Sequence, residues 1–267
     1  MSGYSPVVVG VSPATVGVAA ALAGLVFAVW MARRDRLAPR AMYWAGAVTM
    51  LFGFWGARLL GMVYYPGDGQ PWAWLRFWSE GTAQYGAFIG GGLAMLIFLA
   101  IRRLPLLAYF DAVAPAVALT VAGGRVACFM NGDDFGRLTH LGWAVRFPPG
   151  TEAYADHLAR GWIARGAAWS LPVHPIQLYE SVIWLGLAVV LAMWRPGRAG
   201  IRSGCFAVAH GALRFAEQFL RGDFQPVLGP LSLTQLISLG LFVLGLWLLR
   251  KQRGLATVPQ TLAESVA

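Results

Sequence analysis

Long apolar runs separated by short clusters of arginine are the feature that most narrows what this chain can become. Reading for stretches of roughly 17–25 apolar residues, the length that crosses a bilayer as a helix, gives seven candidates: 15–32, 42–64, 84–100, 107–130, 176–194, 204–221 and 232–249. Of 267 residues, 58% are hydrophobic and only 12% charged, which excludes an ordinary soluble globular domain. The expectation is an all-α polytopic membrane protein with about seven transmembrane helices. Residues 1–253 are expected to form a single transmembrane domain that includes a small outer head segment, 131–174. Residues 254–267 read as a short, polar, disordered cytoplasmic tail.

The net charge of +9 does not mark a nucleic-acid surface, because nearly all of it is arginine placed between apolar runs, with Lys251 the only lysine. The clusters fall at alternate connections. Arg33, Arg34, Arg36 and Arg40 follow the first run, Arg102 and Arg103 the third, Arg195, Arg198 and Arg202 the fifth, and Arg250, Lys251 and Arg253 the seventh. Basic residues of this kind mark the cytoplasmic side, which puts the N-terminus outside and the C-terminus inside. No basic region precedes the first run, so a cleaved signal peptide is not expected. Cys128 and Cys205 lie in apolar segments and form neither a disulfide framework nor a metal quartet. No metal and no cofactor are expected.

Four arginines depart from this topology: Arg58, Arg125, Arg214 and Arg221 lie in or beside the apolar runs, toward their outer ends. An arginine at the centre of a bilayer costs roughly 2.5–3.5 kcal/mol on insertion scales, so these side chains must face protein, water or a bound anion. Arg125 sits in GGRVACFMNGDDFGR, residues 123–137, whose Asn, Gly and paired Asp read as a turn that leaves the membrane and returns polar groups over the arginine. A buried cation beneath a polar loop reads as an anion site.

Of the outer connections, residues 65–83 are rich in tryptophan, as befits a segment in the headgroup layer. In 131–174, Thr151 reads as the cap of a helix from Glu152 to Arg165, with an acid in its first turn and an arginine in its last.

The sixth run carries His210, Arg214, Gln218 and Arg221 at helical spacing, with Glu217 one position off that line. The stripe has two readings. One is an inter-helix salt bridge, Arg214 with Glu180; the other is a row of donors for a phosphate, whose oxygens match the guanidinium fork. His174, Pro175, Gln177, Tyr179 and Glu180 open the fifth run; proline in a first turn is also good helix-start chemistry. Tyr85, Gly86 and Gly90 open the third, where the glycines either let another backbone approach or make room for a lipid chain. Arg58 is expected to pack against a carboxylate such as Asp111, or to join the anion site. Cys128 reads as a small buried hydrophobe.

Together these motifs resemble the bacterial prolipoprotein diacylglyceryl transferases. The family's Gly-Arg, Asn-Phe-x-Asn-Gly-Glu and later Gly-Arg look like Gly124-Arg125, then Phe129, Asn131, Gly132, Asp133, Gly136 and Arg137. Its His-Pro-x-Gln-Leu-Tyr-Glu stands intact at His174 to Glu180, and its Gly-x-Arg matches Gly56 and Arg58. Its Tyr-Gly-x-x-Arg, Glu-Phe-x-Arg and Asp are similar to His210, Gly211, Arg214, Gln218, Phe219, Arg221 and Asp223. The resemblance covers nearly the whole chain. It implies transfer of a diacylglyceryl group from phosphatidylglycerol to the lipobox cysteine of preprolipoproteins, through their signal peptides, at the outer leaflet of the bacterial inner membrane.

By the same resemblance Arg125 and Arg214 bind the headgroup phosphate and stabilise its departure. Arg58, Asn131, Asp133, Gly136, Arg137, His174, Gln177 and Arg221 contact substrate or anchor loops. Where the family has histidine on the third helix this chain has Tyr85, and where the family has tyrosine before the second arginine it has His210. Cys128, Asp133 and Gln218 replace an asparagine and two glutamates. The reciprocal change at Tyr85 and His210 implies that His210 supplies the base and Tyr85 positions it. Two other readings stand beside this one: a diverged paralogue that binds phospholipid with another acceptor or without catalysis, and a small transporter.

Overall fold

Why the helices begin and end where they do is largely cap chemistry. A computed structural model describes residues 11–64, 84–222 and 227–254. In chain order it shows α1, Pro13–Arg34; α2, Pro39–Tyr64; α3, Gln84–Ile101; α4, Leu106–Asn131; α5, Glu152–Ala159; α6, Ile176–Met193; α7, Ile201–Glu217; and α8, Leu233–Gly254. A 3-10 turn, Gln218–Leu220, prolongs α7. The tryptophan-rich stretch 65–83, Asp223 and the tail beyond Gly254 lie outside the described residues.

Ser12 caps α1, its Oγ accepting the Thr15 N–H at 3.1 Å, with Pro13 in the first helical position. A reciprocal capping box opens α8: Ser232 Oγ accepts from Gln235 N–H at 3.2 Å and Gln235 Oε1 accepts from Ser232 N–H at 3.0 Å. α1 and α3 end in left-handed residues that are arginines, Arg36 (φ 60°) and Arg103 (φ 52°). In each case the next N–H closes onto the carbonyl five residues back, Leu37 to Ala32 at 2.8 Å and Leu104 to Leu99 at 2.9 Å. Cations at the ends of α1, α3 and α8 lie over aromatic rings one turn earlier: Arg34 over Trp30 at 5.7 Å, Arg102 over Phe98 at 5.8 Å and Lys251 over Trp247 at 5.1 Å.

Among the described residues five helices are long and apolar enough to cross a membrane: α1, α2, α4, α6 and α8. α3 is a shorter apolar helix, and α7 is 17 residues long and carries Arg202, His210 and Arg214 among its buried residues. The protein is a multi-pass, all-helical membrane protein. Among the described residues the extended backbone amounts to isolated β-bridges only.

The chain divides into two units, Gly24–Val113 and Met1–Ala23 with Ala114–Ala267. In the first, α2 and α3 meet through glycines. A Cβ on Gly86 would lie against the Gly56 carbonyl and 2.8 Å from Leu60 Cβ, and one on Gly90 would lie 3.1 Å from Gly56 Cα. The third-run glycines therefore serve close helix packing, the first of the two readings offered by the sequence. Arg58, Tyr85 and Asp111 are all buried in this unit. Gly86→Val is expected to force α2 from α3 and lower stability by about 1–3 kcal/mol, the usual range for overpacking; a thermal melt of the detergent-solubilised protein reads it.

In the second unit α7 and α8 pack in the same manner. A Cβ on Gly211 would meet Phe242 N at 2.7 Å, and one on Gly245 would meet Val208 N at 2.7 Å. α4 joins the end of α1 where Gly123 faces Ala20, and joins α6 through Ser181 Oγ, which donates to the Ala122 carbonyl at 2.9 Å. Phe129 at the end of α4 and Phe135, Phe147, Ala153 and Val173 beyond it form a small core, closed by bridges from Leu138 and Val145 to Val173.

One element of residues 131–174 departs from expectation. α5 stops at Ala159 instead of reaching Arg165, because Gly161 (φ 70°) turns the chain and Trp162 N–H closes onto the His157 carbonyl at 2.9 Å. Thr151 stands at the N-cap but makes no side-chain cap; its Oγ1 donates to the Pro148 carbonyl at 2.7 Å.

Candidate functional site

The last turns of α4 carry Arg125, and the turn that follows folds back over it. Gly132 (φ 70°) and Asp134 (φ 55°) both take left-handed backbone, which reverses the chain within four residues. A side chain on Gly132 would strike Thr151, 2.7 Å from its Cβ. Gln177 of α6 fastens the turn by donating from Nε2 to the Asp133 carbonyl at 2.7 Å. Asn131 Nδ2 donates to Asp133 Oδ2 at 3.0 Å.

The reversal presents Asp134, not Asp133, to Arg125. Arg125 Nη1 meets Asp134 Oδ2 at 2.5 Å, and Nε meets Glu180 Oε2 of α6 at 2.6 Å. Arg214 of α7 lies 3.4 Å from the same Glu180 oxygen and pairs with Glu217 one turn on. Arg221 pairs with the other oxygen of Asp134. Glu217, Arg214, Glu180, Arg125, Asp134 and Arg221 thus form a ladder of alternating charge with three cations and three anions. Alternation is what makes burial tolerable, since an isolated buried charge would cost far more than a paired one.

Arg221 reaches the ladder by a route the helical stripe did not predict. α7 ends at Glu217, and after the 3-10 turn Arg221 is extended (φ −72°, ψ 139°) and bridges Gly136. Arg137 N–H donates to the Leu220 carbonyl at 2.8 Å and Gly222 N–H to the Phe135 carbonyl at 2.9 Å. The His174 backbone pairs with the same strip, and a Cβ on Gly136 would come within 2.7 Å of His174 Cβ, so this glycine serves close backbone packing.

Several polar atoms around the ladder are buried without a hydrogen-bond partner among the described residues: Arg214 Nε, Glu180 Oε1, Gln177 Oε1, Gln218 Oε1 and Asp133 Oδ1. Such atoms are rare in folded proteins, and these five gather around the ladder. Beside them lies a cavity of about 190 Å³ between α6 and α7, with Glu180 and Glu217 at its polar part and Ile183, Trp184, Leu213 and Leu220 on its apolar walls. The Arg214–Glu180 bridge read from the sequence exists, and it borders a cavity.

A sequence profile described as Prolipoprotein diacylglyceryl transferase matches residues 14–250. The chain belongs to the prolipoprotein diacylglyceryl transferase family. Similar proteins, each named phosphatidylglycerol–prolipoprotein diacylglyceryl transferase, include one from Burkholderia thailandensis, 34% identical over 216 residues, covering 71% of each chain. One from Cupriavidus necator is 32% identical over 213 residues, covering 74% of this chain and 72% of the relative. One from Nitratidesulfovibrio vulgaris is 30% identical over 250 residues, covering 86% of each.

In this family member the structure brings Arg125, Arg214, Arg221, Asp133 and Gln177 together. His210, one turn before Arg214, is 1% exposed, its ring 4.8 Å from Trp184 and 5.6 Å from Phe206. It does not line the cavity; Trp184, which does, packs against it. Arg137 is exposed, His174 is half-buried and faces Tyr179 edge-on at 6.3 Å, and Cys128 Sγ is 3.9 Å from Arg125 Nη1. Tyr85 and Arg58 belong to the other unit. Sequence reasoning left Asp134, Glu180 and Glu217 out of the site. The available signal was stoichiometric: every arginine kept in a membrane needs a counter-charge, and these acids stand nearest.

The two neighbouring acids of the turn titrate apart. Burial and then the charge of Asp134 push Asp133 above the ordinary carboxylate value. Burial also opposes ionisation of Asp134, but Arg221 and Arg125 outweigh it and hold Asp134 below that value. The ion pairs of Asp134 therefore contribute stability that is complete above an unfolded pKa of about 3.9 and is lost as pH falls through the lower folded value. Thermal midpoints are expected to drop on acidification below about pH 4 more steeply for the native chain than for Asp134→Asn.

Proposed function

We propose that the protein transfers the diacylglyceryl group of phosphatidylglycerol to the lipobox cysteine thiol of a preprolipoprotein, the first step of bacterial lipoprotein maturation. The observation that carries this reading is the arginine–carboxylate ladder bordering a cavity with a polar part and apolar walls. A phospholipid needs a cationic seat for its phosphate, supplied by Arg125 and Arg214 of the ladder, and an apolar path for its chains, supplied by the cavity walls beyond Glu180 and Glu217. The sulfur of the acceptor, as thiolate, attacks the glyceryl carbon next to the phosphate oxygen. An S–C bond forms, the C–O bond breaks with its electron pair onto that oxygen, and glycerol phosphate leaves. Arg125 and Arg214 stabilise the charge that develops on the leaving phosphate. Arg137 and Arg221 act as further anion contacts or anchors, while Asn131, Asp133, Gly136, His174 and Gln177 shape the loop over the headgroup.

The thiol proton passes to His210; the reciprocal substitution at positions 85 and 210 supports that assignment. A second reading has Glu217 take the proton, favoured because Glu217 lines the cavity directly whereas Trp184 lies against His210. Thiol alkylation by His210→Ala, Tyr85→Phe and Glu217→Gln proteins separates the two. We expect His210→Ala to lose about 100-fold or more; full activity in that variant, with loss in Glu217→Gln, moves the base to Glu217.

For the membrane arrangement, α3 and α7 complete seven spans, the N-terminus is outside, and the head segment lies over the outer leaflet of the inner membrane. The alternating basic clusters and the stacked cations at one end of α1, α3 and α8 support this orientation. Expression in cells depleted of their own transferase, scored by lipidation of a reporter lipoprotein, tests the function. Restored lipidation is expected. Correct insertion without lipidation favours a phospholipid-binding relative, whereas a transport activity has no support in the family to which the chain belongs.

A further inference from the structure

Arg221, the last member of the ladder, also lines a second cavity, about 330 Å³, bounded by Arg137, Arg160, Arg221, His157, Trp162 and Gly222. Its volume is at the small end for ligand sites. Its charge is one-sided. Arg160 is steadied by Asp156, Nε to Oδ1 at 2.9 Å, by the Gly222 carbonyl at 3.4 Å, and by the Trp162 ring 4.9 Å beneath its guanidinium. Arg221 pairs with Asp134. Arg137 makes no ion pair among the described residues and adds a positive charge beyond those matched by Asp156 and Asp134.

His157 supplies a neutral donor. It is 1% exposed, held edge-on to Phe135 at 5.6 Å, and its Nδ1 accepts the Leu171 N–H at 3.1 Å. An imidazole whose Nδ1 accepts carries its proton on Nε2. Burial also lowers its basicity, with the nearby Arg160 adding to the effect and Asp156 opposing it. The polar side chains bounding the cavity thus offer N–H donors: three guanidinium groups and one imidazole N–H. Guanidinium forks, two of them held by partners, with no carboxylate on the lining suit the oxygens of a phosphate.

We propose that this cavity is a phosphate-ester subsite, separate from the ladder and joined to it through Arg221 and Asp134, which takes either free glycerol phosphate or the headgroup of a phospholipid. The link to glycerol phosphate rests on the proposed transferase reaction, whose leaving group it is. Arg221 then belongs to both places, pairing with Asp134 of the ladder and lining the cavity.

The test titrates glycerol phosphate into the full chain in nanodiscs by calorimetry. Saturable binding is expected, weakened about tenfold or more in Arg160→Ala, which removes charge-assisted hydrogen bonds, and less in Arg160→Lys, which keeps the charge. Arg125→Lys, altered in the ladder alone, is expected to retain this binding. Nanodiscs of phosphatidylcholine with and without phosphatidylglycerol identify the source: suppression by phosphatidylglycerol shows a lipid headgroup in the subsite, and its absence shows the free ester. No saturable binding, or equal binding by native, Arg160→Ala and Arg137→Ala/Arg160→Ala proteins that fold alike, overturns the proposal. Binding needs no turnover, so a chain that binds but fails to lipidate defeats the transferase reading alone, and one that lipidates without binding defeats the subsite alone.

Discussion

Replacing Arg125 by lysine is expected to slow thiol alkylation by about two to three orders of magnitude, the usual loss when one preorganised donor to a developing negative charge is removed. Arg125 serves two carboxylates from different elements, Asp134 through Nη1 and Glu180 through Nε, which fixes its plane. A guanidinium held in this way keeps further N–H groups in a set direction. The lysine ammonium is a point charge on a flexible stem and cannot span both carboxylates while facing a phosphate. A gel-shift or mass assay of lipidation by purified protein gives the rate, and gel filtration shows that the variant is folded. A rate within a few-fold of native would make Arg125 a structural cation and place phosphate binding on Arg214.

Glu180→Gln is expected to be the most destabilising change in the second unit. Glu180 is 3% exposed and is the shared counter-charge of Arg125 and Arg214, themselves 4% and 5% exposed. Removing one partner of a buried ion pair leaves an uncompensated charge, at about 3–5 kcal/mol. The double variant Glu180→Gln/Arg214→Gln removes one charge of each sign, and its stability is expected to recover in part, a positive coupling of about 1–3 kcal/mol. Its activity is not expected to recover, because Arg214 is also a phosphate ligand in the proposed mechanism. Thermal melts and lipidation rates of the four proteins complete the cycle. Recovery of both quantities together would reduce Arg214 to a structural partner of Glu180.

Much of the fold follows from one-dimensional physics. Apolar length marks where helices cross, and prolines, serines and positive-φ residues mark where they start and stop, so the helix bounds fall within a few residues of the apolar runs. The miss at α5 has the same origin: Gly161 stops the helix by a local device, and a pattern of charge extending to Arg165 cannot override it. The cap of α8 was written in the sequence as Ser232 and Gln235 three apart.

The candidate site was legible in its cations and illegible in its anions. Membrane insertion energetics single out Arg125 and Arg214 in any sequence of this composition, because each must have a reason to be buried. Which carboxylate answers each of them is another matter. Asp133 and Asp134 are neighbours in the chain, and only the left-handed conformation at Asp134 decides that it turns toward Arg125 and Arg221 while Asp133 turns toward Asn131. Glu180 meets Arg125 across 55 residues by the rotation of α6 against α4, which no helical periodicity encodes. Arg221 joins them because α7 ends early and gives way to extended chain. The sequence by itself thus determined the solvent, the helices, the family and the need for buried counter-charge, all set by local pattern and transfer energy. The tertiary structure alone decided the pairing, since pairing depends on turns and helix rotations that bring distant residues within 3.4 Å.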